Sequence, residues 1–266
     1  MKTLNKKKYW LAGIAIIILA AILTFYFIQK EQERKREEAR VSINLVAMGD
    51  SLTEGSGDEE NDSGYVGIIK TKLAKREDVR SVTTENYGVG GNRVDQLLKR
   101  LDTQPDFQDD VKAANAISIT IGGNDVVKVI RSKLLDAKKS DFTKANEKFD
   151  ANLTKLLDDI RDLNPDAPIY LFGIYNPYTT YFSEMKVLDD IISEWNASTK
   201  ETLAKVNDTH FISVNKQLEE RSATKEGKAN PNLSDDLFHP NHAGYQKMAD
   251  ALYKQMVTSI QNGNIE

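Results

Sequence analysis

Two short stretches of the 266-residue chain bring hydroxyl, carboxylate and imidazole groups together at spacings that suit nucleophilic chemistry. One is GDSLTEG at residues 49–55 and the other is DDLFHPNHAGY at residues 235–245. A serine hydroxyl is a weak nucleophile until a neighbouring base takes its proton, and a third group must hold that base in the right tautomer. Asp236 and His239, three residues apart, can supply both partners from one turn. The carboxylate reaches Nδ1 and leaves Nε2 for Ser51. The chemistry is then acyl transfer: Ser51 attacks a carbonyl, His239 carries the proton and Asp236 orients His239. Each residue also has a plainer use. A serine in a Gly-Asp-Ser sequence commonly caps a helix, and Asp236 and His239 suit an exposed loop ahead of a helix with Pro240 in its first turn. His239 and His242 have the i, i+3 spacing of a metal pair, yet no further ligand cluster accompanies them, so no metal is expected.

Composition removes several other chemistries. The chain has no cysteine, which excludes a disulfide framework, a thiolate zinc site and a cysteine nucleophile. Its three histidines, at 210, 239 and 242, leave little room for an imidazole-built metal centre. Residues 1–40 hold 9 basic and 4 acidic side chains, so residues 41–266 hold 27 basic and 36 acidic ones, a balance of −9. A body of that sign repels polyanions, and no nucleic-acid partner is expected. There is neither a G-x-S-x-G elbow nor a G-x-x-x-x-G-K-[ST] phosphate loop.

Between the two reactive stretches lie NYGVGGNRV at 86–94 and IGGND at 121–125. The four segments, in this order, resemble the SGNH (GDSL) hydrolase superfamily, whose name lists a serine, a glycine, an asparagine and a histidine in four successive blocks. The likeness runs from residue 43 to about residue 255. It implies a serine esterase or lipase with Ser51, His239 and Asp236 as its triad and no cofactor. It also implies an oxyanion hole of the Ser51 N–H, the Gly91 N–H and the Asn124 side-chain amide. Gly90 stands beside Gly91 and is the alternative donor. Gly122, Gly123 and Asn124 also fit a plain strand-exit turn, and Asp50 and Asp125 are read as loop stabilisers. The resemblance admits lipid esters, lysophospholipids, thioesters and O-acyl groups of glycans or the cell envelope as substrates. A relative that kept the fold and became a membrane-tethered binding protein would be expected to lack Ser51, Asn124, Asp236 or His239. None is lacking.

The elements that must hold these residues follow from apolar patterning. Residues 43–48 and 116–121 read as buried strands that run into the Gly-bearing loops GDS and GGND. Residues 80–87, 168–174 and 209–214 are three more strand candidates. Apolar side chains at helical spacing mark helices over 142–163, closed by Asn164-Pro165, and over 243–260. Five short strands alternating with helices predict an α/β domain over 41–266. This is a three-layer α/β/α sandwich on a central parallel sheet of the flavodoxin-like kind, with the site at the carboxyl ends of the strands. The aromatic-rich segment 175–200, with Tyr175, Tyr178, Tyr181, Phe182 and Trp195, is a candidate wall for the acyl site, and Trp195 equally suits ordinary helix packing.

Ahead of the body, residues 9–28 run without a charge, behind the basic segment 1–8 that holds Lys2, Lys6, Lys7 and Lys8. Such a run covers roughly the 30 Å of a bilayer core. Trp10, Tyr9 and Tyr26 suit the two interfaces, and Phe25 to Lys30 offers no small-x-small cleavage site. An uncleaved transmembrane signal anchor is therefore expected, followed by a charged stalk over 29–40, with the body outside the cell membrane. Lys30, Arg34, Lys35, Arg36 and Arg40 follow the run, so a plain Lys/Arg count does not settle the orientation.

Overall fold

The computed structural model describes residues 2–133, 136–177, 186–219 and 230–265, with side-chain surroundings for all of these except 2–9, 12, 15, 16 and 186. It divides into two compact units, residues 1–41 and 42–266. The first is one helix, α1 (Lys2–Glu38). Its last turns are laced by Arg34 to Glu31 and Glu38, at 2.6 Å each, pairs that an i, i+3 and i, i+4 spacing brings together. Helix α1 continues across the boundaries drawn at residues 8 and 28 without a break. Among the described residues no helix is long and apolar enough to cross a membrane. The span expected over 9–28 falls within α1, and four of its side chains, Tyr9, Ala12, Ala15 and Ile16, lie outside the described ones.

The second unit is built on five strands: β1 (Val41–Gly49), β2 (Val79–Gly88), β3 (Ala116–Thr120), β4 (Ile169–Phe172) and β5 (Thr209–Ile212). They lie in the order β2-β1-β3-β4-β5, and β1–β3, β3–β4 and β4–β5 are parallel pairs. All five sequence-predicted strands form, with ends displaced by a few residues. Central strands of such a sheet are covered on both faces, hence their unbroken apolar runs. Ile43, Leu45, Val46, Ala47 and Met48 of β1 are all buried, as is every residue of β3 and β4.

Helices cover the sheet in two groups. Helix α3 (Gly64–Ala74) packs against α10 (His242–Gln261), which also meets the short α9 (Asn215–Leu218). On the other side α7 (Lys139–Leu163) gathers α4 (Val94–Thr103), α5 (Pro105–Ala113), α6 (Gly123–Lys133) and α8 (Lys186–Leu203). The predicted stripe of α7 is the buried one, with Phe149, Leu153, Leu156, Leu157 and Ile160 all within the core. Asn164 closes α7 and sends its amide to Val111 O and Ala114 O at 2.7 and 2.8 Å. Helix α10 begins later than a proline in the first turn would require. Asn241 is its N-cap, accepting from Gly244 N at 3.0 Å, and Pro240 lies outside the helix in a bridge to Leu233.

One glycine, Gly49, brings the site into register. At Gly49 φ is +143°, and a Cβ there would lie 2.0 Å from Thr120 O, so only glycine lets the end of β1 approach β3 this closely. Asp50 N then donates to Thr120 O at 3.1 Å, and Ser51 emerges at the carboxyl end of the sheet.

Candidate active site

Ser51 opens the short helix α2 (Ser51–Glu54). The cap of that helix is the preceding residue: Asp50 Oδ1 accepts from Leu52 N at 3.0 Å and from Thr120 Oγ1 at 2.8 Å. Capping by Asp50 leaves the Ser51 hydroxyl free for another partner, and this removes the helix-cap reading of Ser51. Burial pushes the Asp50 carboxyl up to about 6, against the pull of its Thr120 and Leu52 hydrogen bonds. Below α2 a buried hydroxyl network fixes its floor. Thr53 Oγ1 meets Thr120 Oγ1 at 2.7 Å and Tyr65 OH at 3.0 Å, and Tyr65 OH meets Ser118 Oγ at 3.1 Å.

The partner of Ser51 arrives from far along the chain. His239 Nε2 lies 2.9 Å from Ser51 Oγ, and His239 Nδ1 lies 2.5 Å from Asp236 Oδ2. The other carboxylate oxygen of Asp236 accepts from Phe238 N and His239 N at 2.9 Å each and from Ser234 Oγ at 2.7 Å. Burial pushes Asp236 upward, but these donors, the His239 ring first, outweigh it and hold the carboxyl well below the usual range. The turn that makes this possible sets Leu237 at φ +59°, a conformation rare for a residue with a side chain. The anticipated one-turn supply of carboxylate and imidazole is thus geometrically present. His242, which has the i+3 spacing of a metal pair with His239, is paired with Asp58, at 3.0 Å from Nδ1 to Oδ1.

Two further loops, 86–94 and 121–125, are those that the resemblance marks for an oxyanion hole. Asn124, in the first turn of α6, donates from Nδ2 to Asn92 O at 3.0 Å. An amide nitrogen carries two protons, so this bond orients Asn124 and leaves one proton over. Asp125 beside it accepts from Val94 N at 3.3 Å and stitches the same two loops together. Burial pushes its carboxyl up to about 7, against that single backbone bond. Both Asp50 and Asp125 therefore act in the loops as read. Gly91 has φ +78° and open space where a Cβ would stand, whereas a Cβ on Gly90 would come within 2.9 Å of Glu54 Oε2.

Ser51 and Asn124 both line a pocket whose space, counted together with the solvent open to it, is about 680 Å³. Its walls are apolar. Ile121, Val126, Val127 and Ile130 come from β3's exit and α6, Leu188 and Ile192 from α8, Phe172 from the end of β4, and Ile174, Tyr175 and Phe238 from loops. Tyr175 OH donates to Phe238 O at 2.5 Å and so ties the pocket wall to the histidine loop. Of the aromatic residues expected along 175–200, Tyr175 lines the pocket. Trp195 instead is buried in the core, its ring 5.0 Å from that of Phe149. Tyr178, Tyr181 and Phe182 lie outside the described residues. Leu188 and Ile192 also fall within the 175–200 segment expected to wall the site, whereas sequence reasoning missed the wall from α6 and the roles of Thr120 and Asp58. Val126, Val127 and Ile130 of α6 carry no signal in the sequence that separates a pocket wall from core.

Known proteins match this chain over most of its length. The model of the GDSL-like lipase/acylhydrolase family matches residues 47–247. The Bacillus subtilis (strain 168) protein YpmR is 30% identical over 242 residues, covering 90% of this chain and 92% of the relative. The spore germination lipase LipC of Bacillus licheniformis is 27% identical over 221 residues, covering 80% and 95%. Among solved structures, the lipase Lip_vut3 from a goat rumen metagenome superposes with a TM-score of 0.67 at 26% identity, over 80% of this chain and 96% of that one.

Proposed function

The chain belongs to the GDSL-like lipase/acylhydrolase family and is an ester hydrolase, and we propose that it works through Ser51, His239 and Asp236 on esters whose acyl part is an apolar chain. The observation that carries the mechanism is the continuous relay from Asp236 Oδ2 to His239 Nδ1 and from His239 Nε2 to Ser51 Oγ. His239 takes the Ser51 proton as Oγ attacks the carbonyl, then delivers it to the leaving alcohol, and Asp236 holds the imidazole in the tautomer this needs. Water repeats the sequence in reverse to free the acid. The developing oxyanion meets the N–H groups of Ser51 and Gly91 and the remaining amide proton of Asn124. Gly91 is the better donor of the two glycines, because an anion beside Gly90 would face the Glu54 carboxylate.

The apolar pocket supports an acyl chain longer than acetyl. From Asn124 to Ile130 the wall follows α6 for six residues, roughly 9 Å at 1.5 Å per residue. That is the length of an octanoyl chain. Each methylene buried there contributes about 0.8 kcal/mol, roughly fourfold in kcat/KM per carbon. With p-nitrophenyl esters and the full chain, kcat/KM is expected to climb from acetyl to octanoyl. Ile130→Trp is expected to depress octanoate hydrolysis far more than acetate hydrolysis. A profile highest at acetyl that declines with length would overturn the acyl assignment and return the acetyl esters of glycans to the front.

Residues 9–28 are proposed to hold the enzyme in the cell membrane with residues 41–266 outside. Support comes from the charge-free sequence run and from α1, whose Trp10, Ile17, Leu19, Phe25 and Phe27 are all more than half exposed. Lipid or envelope esters would then be the nearest substrates. Protease added to intact cells should remove the body. A body protected until lysis would reverse the orientation and favour cytoplasmic substrates, thioesters included.

A further inference from the structure

Ser51 and His239 are 188 residues apart in sequence, so their 2.9 Å contact depends on whatever ties the segment after the nucleophile to the segment after the base. Those segments are residues 55–63 and the start of α10, and the tie between them is specific. Asp58, seven residues beyond Ser51, has a side chain only 1% exposed, and His242, three residues beyond His239, one 13% exposed. Asp58 Oδ1 lies 3.0 Å from His242 Nδ1, while Oδ2 accepts from Gly64 N at 3.0 Å. On the same interface His242 N donates to Glu59 Oε2 at 2.9 Å and Tyr245 OH to Ser56 O at 2.7 Å. Between these bonds Gly57, at φ +90°, lies flat against the histidine loop. A Cβ there would stand 2.9 Å from His239 Cβ and 2.7 Å from Pro240 O.

We propose that His242 and Asp58 are positioning residues for the hydrolysis, a clasp that seats the Gly57 segment against His239 and so keeps its Nε2 at hydrogen-bond distance from Ser51. The inference rests on the catalytic reading of Ser51 and His239. Asp58 is buried with acceptors only, so the clasp requires a proton on His242 Nδ1. Its Nε2 faces a second carboxylate, Glu60, at 3.4 Å. Burial lowers the affinity of His242 for its proton, but Asp58, Glu60 and Glu59 outweigh it and raise the pKa above the ordinary imidazole value. A histidine at this position is therefore suited to hold a carboxylate loop and act on the reaction only through its neighbours.

The test uses the different reach of two amides. In His242→Asn the amide nitrogen replaces Nδ1 and keeps the bond to Asp58, and in His242→Gln it replaces Nε2 and loses it. Turnover of an activated ester is measured per site titrated by a fluorophosphonate. The clasp predicts that His242→Gln loses roughly ten- to hundredfold in kcat, the scale of a small displacement of a reacting group, with KM nearly unchanged. His242→Asn should stay close to wild type. Wild-type kcat in both variants, or an equal loss in both, overturns the proposal, because neither pattern depends on the Nδ1 bond. If His242→Gln does not fold, Asp58→Asn makes the same comparison: a kcat loss per labelled site supports the clasp and an unchanged kcat overturns it. Labelling of the wild-type protein separates the two levels. No label at Ser51 removes the catalytic reading and the clasp with it, whereas full label with unaltered variant turnover removes the clasp alone.

Discussion

Ser51→Ala should fold as the wild type does and lose roughly 10⁶-fold in kcat, the scale seen when a serine nucleophile that works as a unit with its base is deleted. The expectation of normal folding comes from the local bonds. The hydroxyl meets His239 Nε2, while the helix cap belongs to Asp50 and the floor of α2 to Thr53, Tyr65, Ser118 and Thr120. Losing one hydroxyl contact costs about 1 kcal/mol of stability at most. The residual rate is that of a site with its oxyanion donors and acyl pocket intact but no nucleophile. Intact-mass measurement after fluorophosphonate treatment should show one adduct on the wild type and none on the variant. An alanine variant that still labels at full stoichiometry would mean that another serine reacts, and the relay through His239 would have to be abandoned. The same pair of proteins tests the reading of a binding module that has lost its reaction: in that case the wild type too would neither label nor turn over.

How much of this was legible before the structure differs from part to part for physical reasons. Strands β1 and β3 were visible because buried parallel strands are short apolar runs, and the glycine-bearing turns that end them are local signals. Asp236 and His239 were legible as a pair because three residues of chain determine what they can reach. The division of labour between Asp50 and Ser51 was not. Both residue types cap helices, and what selects Asp50 is Thr120, whose hydroxyl arrives from 70 residues away. For His242 the sequence offered only its local spacing to His239, a metal pair set aside for want of further ligands, while its actual partner Asp58 lies 184 residues earlier. The acyl pocket was legible only in part for a related reason. Segment 175–200, which holds Leu188 and Ile192, was marked by its aromatic residues, but Val126 and Ile130 of α6 border the same space only through the tertiary fold, which no local pattern records.

Asn124→Ala isolates the oxyanion contribution, because this side-chain amide is the one proposed donor that mutation can delete without touching the backbone. The expected loss is roughly 10²–10³ in kcat, about 3 to 4 kcal/mol, the magnitude typical of removing a single oxyanion donor. KM should change little, since a bond made mainly to the charged intermediate adds little to ground-state binding. The structure adds a competing term. Asn124 Nδ2 also donates to Asn92 O at 3.0 Å, so alanine removes a link between two loops as well as a donor. Asp125 retains the neighbouring link to Val94 N, which limits the damage to the loop itself. The two terms separate in measurement. A lost donor lowers kcat of the fully folded, fully labelled protein, whereas a lost loop contact lowers the melting temperature and leaves kcat per labelled site near wild type. Asn124→Asp sharpens the contrast: it keeps the side chain's size but sets an acceptor, charged when ionised, where the oxyanion must form, so its kcat should fall at least as far as that of alanine. If instead both variants turned over like the wild type per labelled site, Asn124 would be a turn residue, and Ser51 and Gly91 would have to stabilise the intermediate by themselves.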